Sequence, residues 1–271
     1  MLEIQQIIGG KFVAALSGRT YDRIDPFTGA VATRAPASGL DDVKAAVAAA
    51  SAAFPAWSKT GPGARRALLL KAADVLASKA GDFAGILTSE TGGTAPWAGF
   101  NTMVAASMLR EAASMTTQIQ GEIIPADKPG TLAMAVRQAA GVCLGIAPWN
   151  APIILGVRAI AMALACGNTV ILKASEACPG LHILIGQAMV EAGLPDGVLN
   201  VVTGRGAVCG EALGLHMDID VLAFTGSGPV GRRLLGLARG RLDAADAAPD
   251  GLARAERGVG AGRTWLRRRA G

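Results

Sequence analysis

Residues that bind metal ions are scarce in this sequence. It contains two histidines and four cysteines in 271 residues. The cysteines show neither a CxxC pair nor the Cys/His spacing of a zinc site, so we expect no metal site. The four cysteines are Cys143, Cys166, Cys178 and Cys209.

The sequence also lacks an export signal and a long uninterrupted apolar run. Its first nine residues contain no basic region followed by an apolar stretch, so they do not resemble a signal peptide. The most apolar segment, residues 141–167, is interrupted by Pro148, Asn150, Pro152 and Arg158. This pattern is typical of a buried core and not of a membrane span. We therefore expect a cytoplasmic protein that does not enter membranes.

Charged residues are few, at 17%, and the net charge of +5 is unevenly distributed. Residues 239–271 contain eight arginines and four acidic residues, a net charge of +4. The basic balance describes this segment and does not indicate a nucleic-acid-binding surface elsewhere. Its bias towards Ala, Gly and Arg predicts an aberrant or disordered tail, which out-of-frame translation would explain. A genuine Arg-rich interaction tail is the alternative.

Aromatic residues are scarce at 4%, whereas hydrophobic residues reach 51%, so the core must be mainly aliphatic. After about residue 140, short apolar strands alternate with helices. This alternation predicts an α/β fold with an open parallel sheet and flanking helices. The predicted strands include 169–173, 198–202 and 220–224, and the predicted helices include 64–80, 97–118, 180–192, 207–213 and 229–238.

Two further features of the sheet follow from the same pattern. The extended segments 131–138 and 142–147 flank Ala139-Ala-Gly141 and predict a β-hairpin. No core strand is predicted after 220–224, so we expect the sheet to end there and to leave apolar surface exposed. Such a chain would be marginally stable and prone to aggregation.

Three segments contain residues suited to chemistry. Gly226-Ser-Gly-Pro-Val-Gly231 matches GxGxxG between a strand and a helix, a weak indication of pyrophosphate binding on its own. Lys173 and Glu176 follow a predicted strand and could bind ribose hydroxyls, or form an ordinary solvated ion pair in an exposed turn. Asn150 lies between prolines and could stabilise an oxyanion, or could satisfy buried backbone groups.

Together the motifs resemble those of the aldehyde dehydrogenase superfamily. The resemblance rests on four segments in the family's order and spacing, and it extends over about residues 7–238, the N-terminal portion of that family. Residues 103–173 are most similar to bacterial salicylaldehyde, vanillin and benzaldehyde dehydrogenases. The four segments are Ile146-Ala-Pro-Trp-Asn150, Gly167-Asn-Thr-Val-Ile-Leu-Lys-Ala-Ser-Glu176, Gly193-Leu-Pro-Asp-Gly-Val-Leu-Asn-Val-Val-Thr-Gly204 and Ala223-Phe-Thr-Gly-Ser227.

The resemblance implies a domain organisation and a function. Residues 1–121 and 143–238 would form a discontinuous cofactor-binding domain, residues 122–142 a β-hairpin oligomerisation arm, and residues 239–271 the tail. The catalytic domain would be missing. The implied activity is oxidation of an aromatic aldehyde to the carboxylic acid with NAD. Members of the family are homo-oligomers. We expect a small aldehyde as the partner, and neither nucleic acid nor membrane.

The resemblance also implies roles for individual residues. Asn150 would donate its side-chain amide to the oxyanion. Lys173 and Glu176 would hold the adenosine ribose, and the Glu176 carboxylate would repel a 2′-phosphate, so NAD is favoured over NADP. Ser227 would contact the pyrophosphate where Gly226 permits close approach. The residues bordering the cofactor would be Trp149, Gly204 and Val230.

This sequence departs from the family's pattern at three points. Gly228 stands where the family usually has Thr, which makes the turn more flexible. The Glu-Leu-Gly-Gly-type segment with the general base and the Gly-Gln-x-Cys-type segment with the nucleophile do not occur. None of the four cysteines has the context of a nucleophile. We therefore expect the chain to be inactive alone.

Two other functions stay open from the sequence. The chain could be a non-catalytic NAD-binding or interaction module. An alcohol dehydrogenase of the GxGxxG type is disfavoured, because it would need a Tyr/Lys or His catalytic set. The only tyrosine is Tyr21, and neither His182 nor His216 has a suitable context.

Overall fold

The computed structural model describes residues 1–246, 255–260 and 263–268. Its strands are β1 (Leu2–Glu3), β2 (Gln6–Ile8), β3 (Lys11–Val13), β4 (Thr20–Ile24), β5 (Val31–Pro36), β6 (Glu122–Ile124), β7 (Ala133–Ala135), β8 (Val142–Ile146), β9 (Thr169–Lys173), β10 (Leu199–Val202), β11 (Val221–Phe224), β12 (Ala255–Gly260) and β13 (Arg263–Arg268). The helices are α1 (Leu40–Ser58), α2 (Pro62–Ser78), α3 (Ala80–Thr91), α4 (Ala95–Met115), α5 (Pro152–Ala165), α6 (Pro179–Ala192), α7 (Glu211–Leu215) and α8 (Gly228–Asp246). A π-helical turn, Gly206–Gly210, precedes α7.

Within the described residues, the main sheet has eight strands in the order β12-β13-β11-β8-β9-β10-β2-β3. Its four central strands, β11, β8, β9 and β10, run parallel to one another. The strands at both edges are antiparallel to their neighbours. The predicted α/β class is therefore confirmed, and the parallel part of the sheet is its centre.

Helices cover both faces of this sheet, and the strand sequences explain why. In β9, Val170 and Leu172 belong to one apolar cluster, whereas Ile171 belongs to the other. Because successive side chains of a strand point to opposite faces, an unbroken apolar strand requires cover on both sides. Helices α2, α4, α5 and α6 contribute to the first cluster, and α1, α7 and α8 contribute to the second.

The registers align the carboxyl ends of the four parallel strands. Phe224 of β11 is opposite Ile146 of β8, which in turn is opposite Lys173 of β9, and Lys173 is opposite Val202 of β10. The four loops that follow these residues therefore leave the sheet at the same edge. This is the edge at which open α/β sheets bind ligands.

The predicted hairpin was wrong in its strands. The segment Val142–Ile146 is not a hairpin strand but the centre of the parallel sheet, paired with β9 and β11. The hairpin is formed by β6 and β7 instead, within residues 122–142. An apolar strand in the middle of a sheet and a hairpin strand have similar local sequences, so the pairing partner could not be read from the pattern.

The prediction that the sheet ends at residues 220–224 was also wrong. Strand β13 pairs antiparallel with β11, and β12 pairs with β13. Helix α8 continues past residue 238 as far as Asp246. The predicted aberrant tail, residues 239–271, lies partly outside the described residues, which omit 247–254, 261–262 and 269–271. Its origin in out-of-frame translation stays a prediction.

None of the helices in the described residues is both long and apolar enough to span a membrane. No group of three or more His, Cys, Asp or Glu side chains in these residues is arranged to hold a metal ion.

Candidate functional site

The predicted site residues all follow the aligned strand ends. Trp149 and Asn150 lie after β8, and Glu176 lies after Lys173, the last residue of β9. Gly204 follows β10, and Gly226, Ser227 and Val230 follow β11. Four neighbouring parallel strands thus bring to one edge residues that are up to 81 positions apart in the sequence.

Trp149 and Asn150 are presented to solvent by the loop between β8 and α5. The Trp149 side chain is 57% exposed, and Asn150 is exposed as well. Pro152 begins α5, where a missing backbone N–H costs nothing. The alternative that Asn150 satisfies buried backbone groups is contradicted by its exposure. Its amide is available as a neutral hydrogen-bond donor.

Lys173 is buried at the carboxyl end of β9, with 3% of its surface exposed. Its Nζ donates a hydrogen bond to the carbonyl of Ala174 at 2.6 Å. Burial lowers the pKa of the ammonium, while Cys209, Glu176 and Cys178 act in the opposite direction. The alternative of a solvated ion pair in an exposed turn is therefore wrong for Lys173. A buried ammonium with further donors is suited to a polar ligand.

Glu176 is exposed in the loop between β9 and α6, and its carboxylate links this loop to the next one. Its Oε2 accepts a hydrogen bond from the backbone N–H of Gly206 at 2.9 Å. Gly204, two residues earlier, has a φ of +121°. A Cβ added there would approach the Ser38 backbone nitrogen to 3.1 Å, so glycine is required for this close approach. The loops after β9 and β10 form one connected surface.

The loop after β11 exposes the N-terminus of α8. Gly226, Ser227 and Val230 are exposed, and the N–H of Gly231 donates to the Ser227 carbonyl at 3.0 Å. A Cβ added to Gly226 would approach the Phe224 ring to 2.5 Å, so this turn requires glycine. The N-terminus of a helix carries free N–H groups and a partial positive charge, which favour an anion. Nothing within 3.4 Å would crowd a Cβ at Gly228.

The surroundings of all four cysteines disfavour the thiolate. Burial raises the pKa of Cys143 to about 12 and that of Cys209 to about 11. Burial also raises the pKa values of Cys178 and Cys166. A nucleophilic cysteine needs a lowered pKa or an adjacent base, so none of these four has the expected environment.

A buried polar group that the sequence did not predict lies beneath the loop that follows β9. Glu90, near the end of α3, is 0% exposed, and its carboxylate accepts hydrogen bonds from the first turn of α6. His182 in α6 is also buried, and its Nδ1 accepts from the N–H of Ser175 at 3.2 Å. Glu90 has no local motif and lies 90 residues before its partner Gly180, so no signal in the sequence pointed to it.

Comparisons with known proteins agree with this architecture. The profile of the aldehyde dehydrogenase family matches residues 12–248. The chain is 54% identical to vanillin dehydrogenase of Pseudomonas fluorescens over 235 residues, which cover 86% of this chain and 48% of that protein. It is 43% identical to salicylaldehyde dehydrogenase of Pseudomonas putida, covering 85% of this chain and 48% of the relative.

Solved structures show the same likeness. The salicylaldehyde dehydrogenase of Pseudomonas putida G7, complexed with salicylaldehyde, superposes with a TM-score of 0.87 at 41% identity, over 89% of this chain and 51% of that one. PnpE in complex with nicotinamide adenine dinucleotide superposes with a TM-score of 0.85 at 38% identity, over 88% of this chain and 49% of that one. The chain thus spans about half the length of the relatives it matches.

Proposed function

Because the chain belongs to the aldehyde dehydrogenase family, we propose that it is the NAD-binding portion of an enzyme that oxidises an aromatic aldehyde to a carboxylic acid. The observation that carries the proposal is the row of aligned strand ends, with a buried lysine at the end of β9 and an exposed glutamate three residues later. In this proposal, residues 1–121 and 143–238 form the cofactor-binding domain. Residues 122–142 form the oligomerisation arm. The aromatic substrate is suggested by the relatives' names.

Lys173 and Glu176 would bind the adenosine ribose. Nζ of Lys173 has N–H donors left beyond its hydrogen bond to Ala174, and hydroxyl oxygens accept from such donors. The Glu176 carboxylate accepts one backbone N–H and has lone pairs left to accept from hydroxyl groups. A carboxylate at this position would repel a 2′-phosphate, so NAD is the expected cofactor.

The N-terminus of α8 would hold the pyrophosphate. Ser227 and the free N–H groups of the first turn supply neutral donors and a partial positive charge. Gly226 would let the cofactor approach the backbone, with Val230, Trp149 and Gly204 bordering it. These residues, with the exception of the buried Gly204, are exposed and so accessible to a ligand.

The bound cofactor would supply a hydride acceptor, and the residues of this chain would bind and orient it. Asn150 would stabilise a developing oxyanion through its side-chain amide, which requires a donor at hydrogen-bonding distance from that oxygen. No cysteine of this chain has the environment of a nucleophile. We therefore expect this chain by itself to bind cofactor without oxidising aldehyde.

The second candidate function is a non-catalytic NAD-binding or interaction module, and the raised pKa values of the four cysteines favour it. An assay for NADH formation with NAD and vanillin or salicylaldehyde tests whether the chain is catalytic. Turnover by the purified chain would exclude the module and would contradict the assignment of the cysteines. NAD binding without turnover is the result expected of both functions.

Titration calorimetry with NAD and NADP tests the cofactor assignment. The unmodified chain should bind NAD more tightly than NADP. Glu176→Gln should narrow the ratio about three- to fivefold, as expected for one exposed charge interaction. Glu191→Gln is the matched control, because Glu191 pairs with Lys79 at the far end of α6. Equal affinities for NAD and NADP in the unmodified chain would overturn the assignment.

A further inference from the structure

Helix α6 is capped by a side chain from a different helix. Glu90, in the last turn of α3, places Oε1 at 2.8 Å from the backbone nitrogen of Gly180. Its Oε2 lies 3.3 Å from the backbone nitrogen of Leu181. Both N–H groups belong to the first turn of α6, where a helix has donors without intrahelical partners. One carboxylate therefore satisfies two of these donors.

The start of α6 offers no local alternative to Glu90. The N-cap residue is Cys178, whose side chain makes no capping hydrogen bond, and Pro179 has no N–H to satisfy. Gly180 leaves space for the carboxylate, because a Cβ at this position would approach Glu90 Oε1 to 2.8 Å. The sequence around residue 180 is thus adapted to a cap that comes from elsewhere in the fold.

Glu90 is itself anchored on its other side. Nε of Arg23, in β4, donates to the backbone carbonyl of Glu90 at 2.7 Å. The Glu90 side chain is fully buried, so it cannot contact a cofactor on the surface. Any effect of Glu90 on the cofactor site must act through the residues it holds.

Those residues belong to the same unit as the loop with Glu176. The N–H of Ser175 donates to Nδ1 of His182, one turn inside α6, at 3.2 Å. The N–H of Cys178 donates to the Ser175 carbonyl at 3.2 Å, and the N–H of Ala177 donates to Ser175 Oγ at 3.3 Å. The loop 174–178 is therefore fastened to α6 through His182, and its own hydrogen bonds close it around Glu176.

We propose that Glu90 is a positioning residue for the ribose-binding loop: by capping the first turn of α6 it holds Glu176 where it can contact the ribose. This inference rests on the proposed function, because it concerns the same cofactor site. Glu90 adds a specificity determinant that lies 86 residues before Glu176 and makes no contact with the cofactor.

The first test measures NAD and NADP binding to the full chain with Glu90→Gln. The amide offers one acceptor oxygen, and its NH₂ group would face an N–H of the helix. NAD affinity should fall about fivefold, as expected for one lost hydrogen bond, and the preference over NADP should narrow. Glu191→Gln, at the other end of the same helix, should change neither quantity.

A double variant tests whether Glu90 acts through Glu176. If it does, Glu90→Gln should not narrow the NAD preference further once Glu176→Gln is present, because the two changes remove the same interaction. If Glu90→Gln and Glu176→Gln narrow the preference for NAD over NADP additively, the inference is overturned. A role in general stability alone would not produce this coupling.

The variant Gly180→Ala disturbs the same contact while Glu90 is kept, because the added Cβ would lie 2.8 Å from Glu90 Oε1. It replaces Glu90→Gln in these measurements if Glu90→Gln does not fold. Alanine normally favours a helix over glycine, so a loss of NAD affinity here would come from the displaced carboxylate. Hydrogen exchange without cofactor should also be faster at Gly180 and Leu181 in either variant. Unchanged hydrogen exchange together with unchanged NAD affinity would overturn this inference but not the proposed function. A chain that binds neither cofactor would overturn the proposed function and this inference with it.

Discussion

At the scale of single residues, several ionisable side chains from distant parts of the chain interact beneath the strand ends. Burial raises the pKa of Glu90 to about 7 and lowers that of His182 to about 4. It also raises the pKa of Tyr21 above its usual range and lowers that of Lys173. Each of these pKa values is shifted towards the neutral form, because desolvation penalises charge.

The titration of Glu90 predicts a pH dependence of stability. Its folded pKa of about 7 lies above the ordinary 4.5, so its contribution is fully present below pH 4.5 and is lost as the pH rises through 7. The difference amounts to about 3 kcal/mol. The buried His182 changes stability in the opposite direction between pH 4 and 6.5.

The measurement is therefore a difference between two proteins. The free energies of unfolding of the unmodified chain and of Glu90→Gln are measured in urea from pH 4.5 to 8. His182 is present in both proteins, so its contribution cancels in the difference. The stability of the unmodified chain should decline relative to the variant as the pH rises. Parallel curves would show that Glu90 keeps its ordinary pKa in the folded chain.

At the scale of elements, helix α5 depends on a side chain from α2 at its end. Helix α5 has no basic residue in its last turn. Nε of the buried Arg65 donates to the Ala165 carbonyl at 3.0 Å, and the same guanidinium contacts the Thr60 carbonyl. Such a group satisfies carbonyls that have no intrahelical partner and opposes the negative end of the helix dipole.

Removal of this cap should destabilise the chain. Arg65→Ala leaves buried carbonyls without a donor, and we expect a loss of about 1–3 kcal/mol in the free energy of unfolding. Arg66→Ala is the matched control, since Arg66 is the adjacent and exposed arginine of α2. Urea unfolding measures both, and equal losses would mean that the cap contributes nothing specific.

At the scale of the whole molecule, the hairpin of β6 and β7 is the main exposed apolar segment of the described residues. Ile123 is 77% exposed, and Leu132, Met134 and Val136 are each more than 60% exposed. The edge of β11, expected to be open, is paired with β13 instead. We therefore expect self-association through the hairpin and not through the edge of β11.

This location predicts which substitutions prevent self-association. The double variant Ile123→Lys with Met134→Lys should shift the chain towards the monomer, because two charges replace apolar contacts. Size-exclusion chromatography with light scattering measures the mass. Leu16→Lys, at an equally exposed leucine outside the hairpin, should leave the mass unchanged. A monomeric unmodified chain would contradict the prediction.

The sequence by itself determined the features that depend only on residues close together in the chain, such as the bounds of a strand. The strand Thr169–Lys173 has the predicted bounds, and Glu176 and Ser227 lie in the loops where the motifs predicted them. Local apolar pattern and turn residues are sufficient there, because strand ends and helix starts are short-range features.

Only the tertiary structure decided which segments meet. The pattern of Val142–Ile146 fits a hairpin as well as a central strand, and pairing with β9 and β11 settles its position. Lys173 is buried because helices cover both faces of its strand, which its position after a strand did not indicate. Glu90 is a polar residue in a helix until the fold brings it to Gly180. Contacts across 90 residues depend on how the elements pack, and the apolar pattern shows which face of an element is buried but not which segment it meets.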